Sequence, residues 1–225
     1  MMNEENALRI FVIGGSPDAQ PPVRLAPAPG DRVIAADHGA AHARAWGWRL
    51  HLVVGDLDSL SAGEAALVTA GGVPVITAPT AKDETDLELA LAHALARGAS
   101  EIIICAALGG RSDHSLANML LLARPELADL AVTLVDGRES IRLLRAGAQQ
   151  PAHLELQGAP GDLLSLLPLG CDAVGVTTAG LQYPLHDETL LLGQARGVSN
   201  VFTGACAGIT LRSGLLLVIH TIAAG

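Results

Sequence analysis

The first 137 residues repeat one pattern: a short apolar run, a polar break, then an amphipathic stretch. The runs at 9–13, 32–36, 52–54, 73–76, 101–107 and 131–135 are rich in Val and Ile. They are continuous rather than alternating, as strands of a parallel sheet covered on both faces must be. Between them, 39–46, 62–70, 84–97 and 114–123 predict helices. The third of these carries Leu87, Leu91 and Leu95 in one stripe and runs into Gly98, a residue suited to a helix C-terminus. Strand alternating with helix predicts an α/β doubly wound domain with a mostly parallel sheet. Pro21, Pro22, Pro27 and Pro29 make 20–30 a loop between the first two strands.

The period then changes. Short runs at 141–144, 153–156, 162–167, 173–177, 189–192, 207–211 and 215–221 are separated by Gly, Pro and Asp turn signals, with no helical stretch among them. Such spacing predicts a small all-β sandwich. The change falls near 136–148, which divides the chain into an N-terminal domain of 1–137 and a C-terminal domain of 138–225.

Half of the residues are hydrophobic and mean hydropathy is +0.39. No apolar run approaches the roughly 20 residues a membrane span needs; the best, 215–219, stops at His220. Glu4 and Glu5 stand where a secretory signal would be basic. The expectation is a soluble, cytoplasmic protein with no membrane partner. Cys105, Cys171 and Cys206 have no paired metal-ligand spacing and read as reduced core thiols. A net charge of −9 and 2% aromatic residues argue against a nucleic-acid partner, which would ask for a basic face and stacking surfaces. An acidic protein that handles phosphates needs metal cations between them.

Ligands of open α/β sheets bind beyond the carboxyl ends of the strands. The third predicted strand is followed by Gly55-Asp56-Leu57-Asp58-Ser59. In an extended segment Asp56 and Asp58 point the same way and offer hard oxygens suited to Mg²⁺. The fourth is followed by Lys82-Asp83-Glu84-Thr85-Asp86 at the start of a helix. Asp83 and Asp86, three apart, are expected on one face of its first turn. Acids suit a helix N-terminus, but Lys82 is a cation where the dipole disfavours one; a phosphate chain bridged by metal accounts for it. The fifth is followed by Gly109-Gly110-Arg111-Ser112-Asp113-His114, with Asn118 in the helix beyond. Arg111 offers a fork matched to phosphate oxygens, and Asp113 reads as an N-cap.

Other chemistries find less support. There is no Gly-x4-Gly-Lys-Ser/Thr run and no Gly-x-Ser-x-Gly elbow, and Gly14-Gly15-Ser16 lacks the dinucleotide fingerprint. His38 and His42 have the i, i+4 spacing of some zinc sites but no third ligand and no glutamate between them.

At these residues the chain resembles the thiamine pyrophosphokinase family. The matching pieces run in the family's order: Asp37-His38-Gly39-Ala40, Gly55 to Ser59, Lys82 to Asp86, Gly109 to His114 with Asn118, and Gly197-Val198-Ser199-Asn200. The resemblance implies an N-terminal α/β catalytic domain, a β-sandwich that binds thiamine and dimerises, and a homodimer with thiamine at the subunit interface. It implies ATP as co-substrate, Mg²⁺ as cofactor, and pyrophosphoryl transfer to the thiamine hydroxyl with release of AMP. By motif, Asp56, Asp58 and Asp86 hold Mg²⁺, and Lys82 and Arg111 hold phosphates. Asp113, Ser199 and Asn200 lie near thiamine, and Asp83, Thr85, His114 and Asn118 complete the binding set. The chain departs from the family at His38, where a glycine is usual, and in the Gly14-Gly15-Ser16-Pro17 loop, which lacks an expected Asn. Asp56-Leu57-Asp58 also resembles the paired aspartates of aspartate-based phosphohydrolases, and a non-catalytic nucleotide or thiamine sensor is a third reading.

Overall fold

The computed structural model describes residues 7–55, 71–77, 83–147 and 150–224. The predicted helix over 62–70, together with Asp56, Asp58 and Lys82, lies outside the described residues. The chain divides into two compact units, Met1–Gly137 and Arg138–Gly225.

In the first unit, strands β1 (Arg9–Ile13), β2 (Arg32–Ala36), β3 (Leu52–Val54), β4 (Val75–Ile76), β5 (Glu101–Cys105) and β6 (Ala131–Asp136) form one sheet in the order β6-β5-β1-β2-β3-β4. Every pairing in it is parallel. Ile10 to Ile13 of β1 and Ile102, Ile104 and Cys105 of β5 are fully buried on both faces of the sheet, which is why their sequence does not alternate. The described helices are α1 (Gly39–Ala45), α2 (Asp86–Ala96) and α3 (Ser112–Leu121), with a 3-10 turn at Pro125–Leu127. α2 lays Leu87, Ala90, Leu91 and Ala94 into the core against β1, β2 and β3. Its start differs from the expected one. Thr85 is the N-cap and exchanges hydrogen bonds with Glu88, whose side chain also accepts from the Thr85 N–H. This capping box fixes the first helical residue at Asp86, so Asp83 precedes the helix and does not share its first turn.

The strand order carries the functional geometry. From β1 the chain moves to β2, β3 and β4 on one side, then returns to place β5 and β6 on the other. The topological switch point therefore lies between β1 and β5, and a crevice opens beyond their carboxyl ends. Close packing at that edge requires glycine. A Cβ on Gly39 would lie 2.1 Å from the Ile13 carbonyl oxygen, and one on Gly14 2.5 Å from that of Ala106.

In the second unit all pairings are antiparallel. One sheet has the order β12 (Asn200–Val201), β9 (Leu163–Pro168), β14 (Gly214–Thr221), β7 (Glu139–Ala146). The other has β11 (Glu188–Leu190), β10 (Ala173–Ala179), β13 (Cys206–Leu211), β8 (Ala152–Gln157). Alternating residues of both sheets meet in one core, with Leu164, Leu166, Leu216 and Val218 from the first and Val176, Ala207, Ile209 and Leu211 from the second. Asp162, only 2% exposed, ties the turn before β9 to β14 and the residues after it. Its carboxylate accepts from the Ala159 and Ala223 N–H groups and pairs with His220 Nε2, each at 2.9 Å. Burial pushes this carboxyl up, but those three bonds outweigh it and hold it below its ordinary value. Of the cysteines, Cys105 is a core thiol whose pKa burial raises, whereas Cys171 and Cys206 are exposed, contrary to expectation.

Candidate active site

A cavity of about 560 Å³ occupies the switch point of the first unit. Its walls are the segments that follow β1 (Gly14 to Pro17), β2 (Asp37, His38) and β5 (Ala106 to Arg111), with the start of α2 and His114 and Asn118 of α3. Its volume lies in the range of small-ligand sites.

Hydrogen bonds between these segments build the rim. The Ser16 N–H donates to the Ala106 carbonyl at 3.0 Å, and the Ser16 hydroxyl donates to the Leu108 carbonyl. The Gly110 N–H donates to the Asp18 carboxylate at 3.1 Å, joining the first loop to the glycine turn. The Ser115 hydroxyl accepts from the Gly109 N–H at 3.1 Å, and Asn118 Nδ2 donates to the Ala107 carbonyl at 2.7 Å. Asn118 thus braces the turn that carries Arg111. Asp18 and Ser115 were not singled out from sequence; the contact of Asp18 with Gly110 spans 92 positions and leaves no local pattern.

Arg111 and Asp113 form a bidentate pair, with Nε to Oδ1 at 3.1 Å and Nη2 to Oδ2 at 2.6 Å. Asp113 is the second residue of α3 and not its N-cap; the Arg111 backbone takes that place without a side-chain cap. The guanidinium, helped by the His114 N–H, holds the Asp113 carboxyl down to about 2. Both side chains are mostly exposed, so the pair can exchange partners with an incoming anion.

Acids line the same cavity. Asp86 is the first residue of α2, and Glu84 and Thr85 line the cavity beside it. Thr85 uses its hydroxyl in the capping box. Asp37 has φ of 46°, a left-handed conformation uncommon outside glycine, immediately after β2. Its Oδ1 is buried and has no hydrogen-bond partner among the described residues. A Cβ on Gly55, the residue before Asp56, would lie 3.1 Å from that oxygen. An orphaned carboxylate oxygen is costly unless a ligand completes it. Sequence reasoning quoted Asp37 only as part of a motif, since neither its strain nor its missing partner is visible there. Among the described residues no three His, Cys, Asp or Glu side chains cluster as a metal site.

His42 Nε2 lies 2.8 Å from the Ser16 carbonyl and donates to it. Burial pushes its imidazole below the ordinary value, against the effect of that bond. It contacts His38 edge to face at 5.5 Å and stacks on Trp46 at 5.7 Å.

In the second unit a smaller cavity, about 270 Å³, is lined by Leu166, Tyr183, Arg196, Val198 and Asn200 among others. Asn200 lines this cavity and bonds its amide to the main chain: Nδ2 donates to the Tyr183 carbonyl at 2.7 Å, and Oδ1 accepts from the Tyr183 and Val201 N–H groups. It holds Tyr183 in place. Ser199 has φ of 59°, donates its N–H to Ser165 Oγ at 3.0 Å, and is exposed beside this cavity without being part of its wall.

Comparison with known proteins agrees with this division. Residues 29–134 match the model described as thiamin pyrophosphokinase, catalytic domain, and 152–216 match thiamin pyrophosphokinase, vitamin B1 binding domain. The chain is 28% identical over 167 residues to thiamine pyrophosphokinase of Bacillus subtilis (strain 168), covering 74% of this chain and 76% of that one. The crystal structure of the Bacillus subtilis enzyme superposes with a TM-score of 0.85 at 25% identity, over 96% of this chain and all (100%) of that one. A thiamin pyrophosphokinase family protein from Enterococcus faecalis gives a TM-score of 0.81 at 29% identity, over 96% and 100%. With one matched segment in each unit, this chain belongs to the thiamin pyrophosphokinase family.

Proposed function

We propose that the chain transfers the diphosphoryl group of ATP to the hydroxyl of thiamine, giving thiamine diphosphate and AMP. The observation that carries this reading is the switch-point cavity bearing Arg111, inside the segment that matches the catalytic model, on a chain whose other unit matches the vitamin-B1-binding model. We read the first unit as a doubly wound nucleotide-binding domain and the second as a sandwich that contributes to thiamine binding and to a homodimer. No helix among the described residues is long and apolar enough to cross a membrane, and we assign the enzyme to the cytoplasm.

In this reaction the thiamine oxygen bonds to the β-phosphorus while the bond between the β-phosphorus and the oxygen that bridges it to the α-phosphorus breaks, AMP leaving with that oxygen and the hydroxyl proton passing to a base or water. Such transfers need positioning and charge neutralisation more than a reactive side chain. Arg111 binds phosphate oxygens and Lys82 assists it. Asp113 pairs with Arg111 and positions it. The buried Oδ1 of Asp37, without a partner among the described residues, is a hard oxygen of the kind Mg²⁺ takes. Asp56, Asp58 and Asp86 would hold that ion, which when bound neutralises polyphosphate charge. Asp83, Thr85, His114 and Asn118 shape or brace the nucleotide side. Asn200 serves the thiamine side by fixing Tyr183, with Ser199 beside it.

The test is to incubate the protein with thiamine, ATP and Mg²⁺ and identify products by mass. Thiamine diphosphate and AMP in equal amounts are expected. Inorganic phosphate with a phosphorylated aspartate would instead mark a phosphohydrolase, and binding of both substrates without AMP a sensor.

A further inference from the structure

The first unit contains a ladder of rings that the proposed chemistry does not use. It begins at His38 on the cavity wall and passes to His42, then to Trp46. From Trp46 it continues to Trp48 at 5.0 Å and from Trp48 to Phe11 at 5.4 Å, in the core. The chain has two Phe, two Trp and one Tyr in all, and three of them stand in this ladder. Its outer end is fixed by the bond from His42 to the Ser16 carbonyl, on the loop that walls the cavity. A ring braced in this way presents a rigid surface.

We infer that His38 is the surface on which the base of the bound nucleotide packs, and that it sets nucleotide preference in this chain. The inference rests on the ATP-dependent reading above. Beside His38 the wall carries Gly15, whose added Cβ would lie 3.3 Å from the His38 Cβ, and the carboxylate of Asp37, while the cation Arg111 enters from the β5–α3 side. Phosphates are drawn to Arg111, which leaves the side of His38 and the glycines for the flat part of the ligand. Among the described lining residues the aromatic rings are those of His38 and His114, and the segments outside the described residues contain no His, Phe, Trp or Tyr. The flat ligand is the nucleobase and not the vitamin, because the cavity lies in the first unit and the vitamin-B1-binding match in the second. Where the family pattern carries glycine, this chain carries an imidazole.

The experiment compares His38→Gly, His38→Gln and His38→Phe with the parent protein. Binding of a non-hydrolysable ATP analogue and of inorganic triphosphate is followed by the fluorescence of Trp46 and Trp48, the chain's two tryptophans. Turnover with thiamine is measured in parallel, and melting curves establish that each variant is folded. Loss of base stacking in the Gly and Gln variants should weaken the ATP analogue by roughly fivefold or more. Inorganic triphosphate affinity and KM for thiamine should stay unchanged, and discrimination among ATP, GTP, CTP and UTP should narrow. His38→Phe should keep tight binding. Equal weakening of triphosphate would make His38 a phosphate contact, a raised KM for thiamine would assign the ring to the vitamin, and unchanged binding would make it inert lining; each overturns the inference. Should the parent protein bind nucleotide yet form no thiamine diphosphate, the catalytic reading fails while the contrast between analogue and triphosphate still decides the role of His38.

Discussion

Replacing Asp37 by glycine should make the protein more stable and less active. Two features of the folded state work against Asp37. Its φ of 46° is left-handed, which costs a non-glycine residue about 1 kcal/mol, somewhat less for Asp. Its Oδ1 is buried without a partner among the described residues, a desolvation cost of about 1–3 kcal/mol. Glycine removes both and keeps the main-chain bonds from the Asp37 N–H to Val54 and from the Ala40 N–H to Asp37. Against this stands the extra freedom of glycine in the unfolded chain, about 0.5–1 kcal/mol. The balance favours Asp37→Gly by about 1–2 kcal/mol, or roughly 3–6 °C in Tm for a chain of this size. Turnover should fall at least tenfold, because Asp37 lines the cavity. Asp37→Asn, which tolerates the left-handed backbone and removes only the charge, should fall between the two in stability. The assays are urea and thermal unfolding, run beside steady-state kinetics. A Tm for Asp37→Gly below that of the parent would refute the reasoning, since it would mean that the side chain contributes more to packing than its orphaned oxygen costs.

Asp56→Asn, Asp58→Asn and Asp86→Asn should each remain folded yet lose most turnover at saturating Mg²⁺, a loss worth several kcal/mol in the transition state; near-normal kcat in any one removes it from the proposed metal set. Ser199→Ala should raise KM for thiamine roughly three- to tenfold and leave KM for ATP alone; a change confined to Tm would make it a turn residue only. The Asp162 carboxyl is held below its ordinary value, so its contribution to stability is present above the unfolded-chain pKa of about 3.9 and is lost as pH falls through the folded value. In acid titrations Asp162→Asn should accordingly be less stable than the parent at neutral pH and converge with it below about pH 4, and a constant difference across that window would exclude the linkage. Exposed Tyr183, Leu191, Leu192 and Val198 in the second unit accord with a covered surface, and sedimentation at micromolar concentration should show a dimer; a fully active monomer would count against it.

The strands were legible because burial on both sheet faces leaves continuous apolar runs, and 9–13, 32–36 and 52–54 match β1, β2 and β3 residue for residue. The start of α2 was misjudged because Thr85 and Glu88 form a capping box inside a run of acids that reads as a single cluster. β12 was missed because two residues, Asn200 and Val201, have no period. In the site, the segments after the strands could be named from sequence, but not what their side chains do. Arg111 and Asp113 are two positions apart and pair with each other; Asn118 and Asn200 bond to main chain. Local sequence carries the identity of a donor, whereas its partner is set by which strand lies alongside.

Strand order explains why this cavity exists at all. β2 and β5 flank β1 on its two sides, and each is followed at once by a left-handed residue, Asp37 after β2 and Ala106 after β5 with φ of 54°. Neither residue is glycine, so each holds strain, about 1 kcal/mol for Ala106 and somewhat less for Asp37, that the surrounding packing must impose. The two sharp turns carry the flanking chains away from the line of their strands on either side of Gly14, which has no side chain to fill the space between. The carbonyl of Ala106, aimed by its turn, then accepts the Ser16 N–H and fixes the β1 loop as one wall, while Asp37 leaves an oxygen on the other. Strain, the missing Cβ and the unpaired oxygen are thus three consequences of one arrangement. All three lie at the strand ends where the chain reverses direction through the sheet, which is where a parallel α/β sheet can open without losing its core.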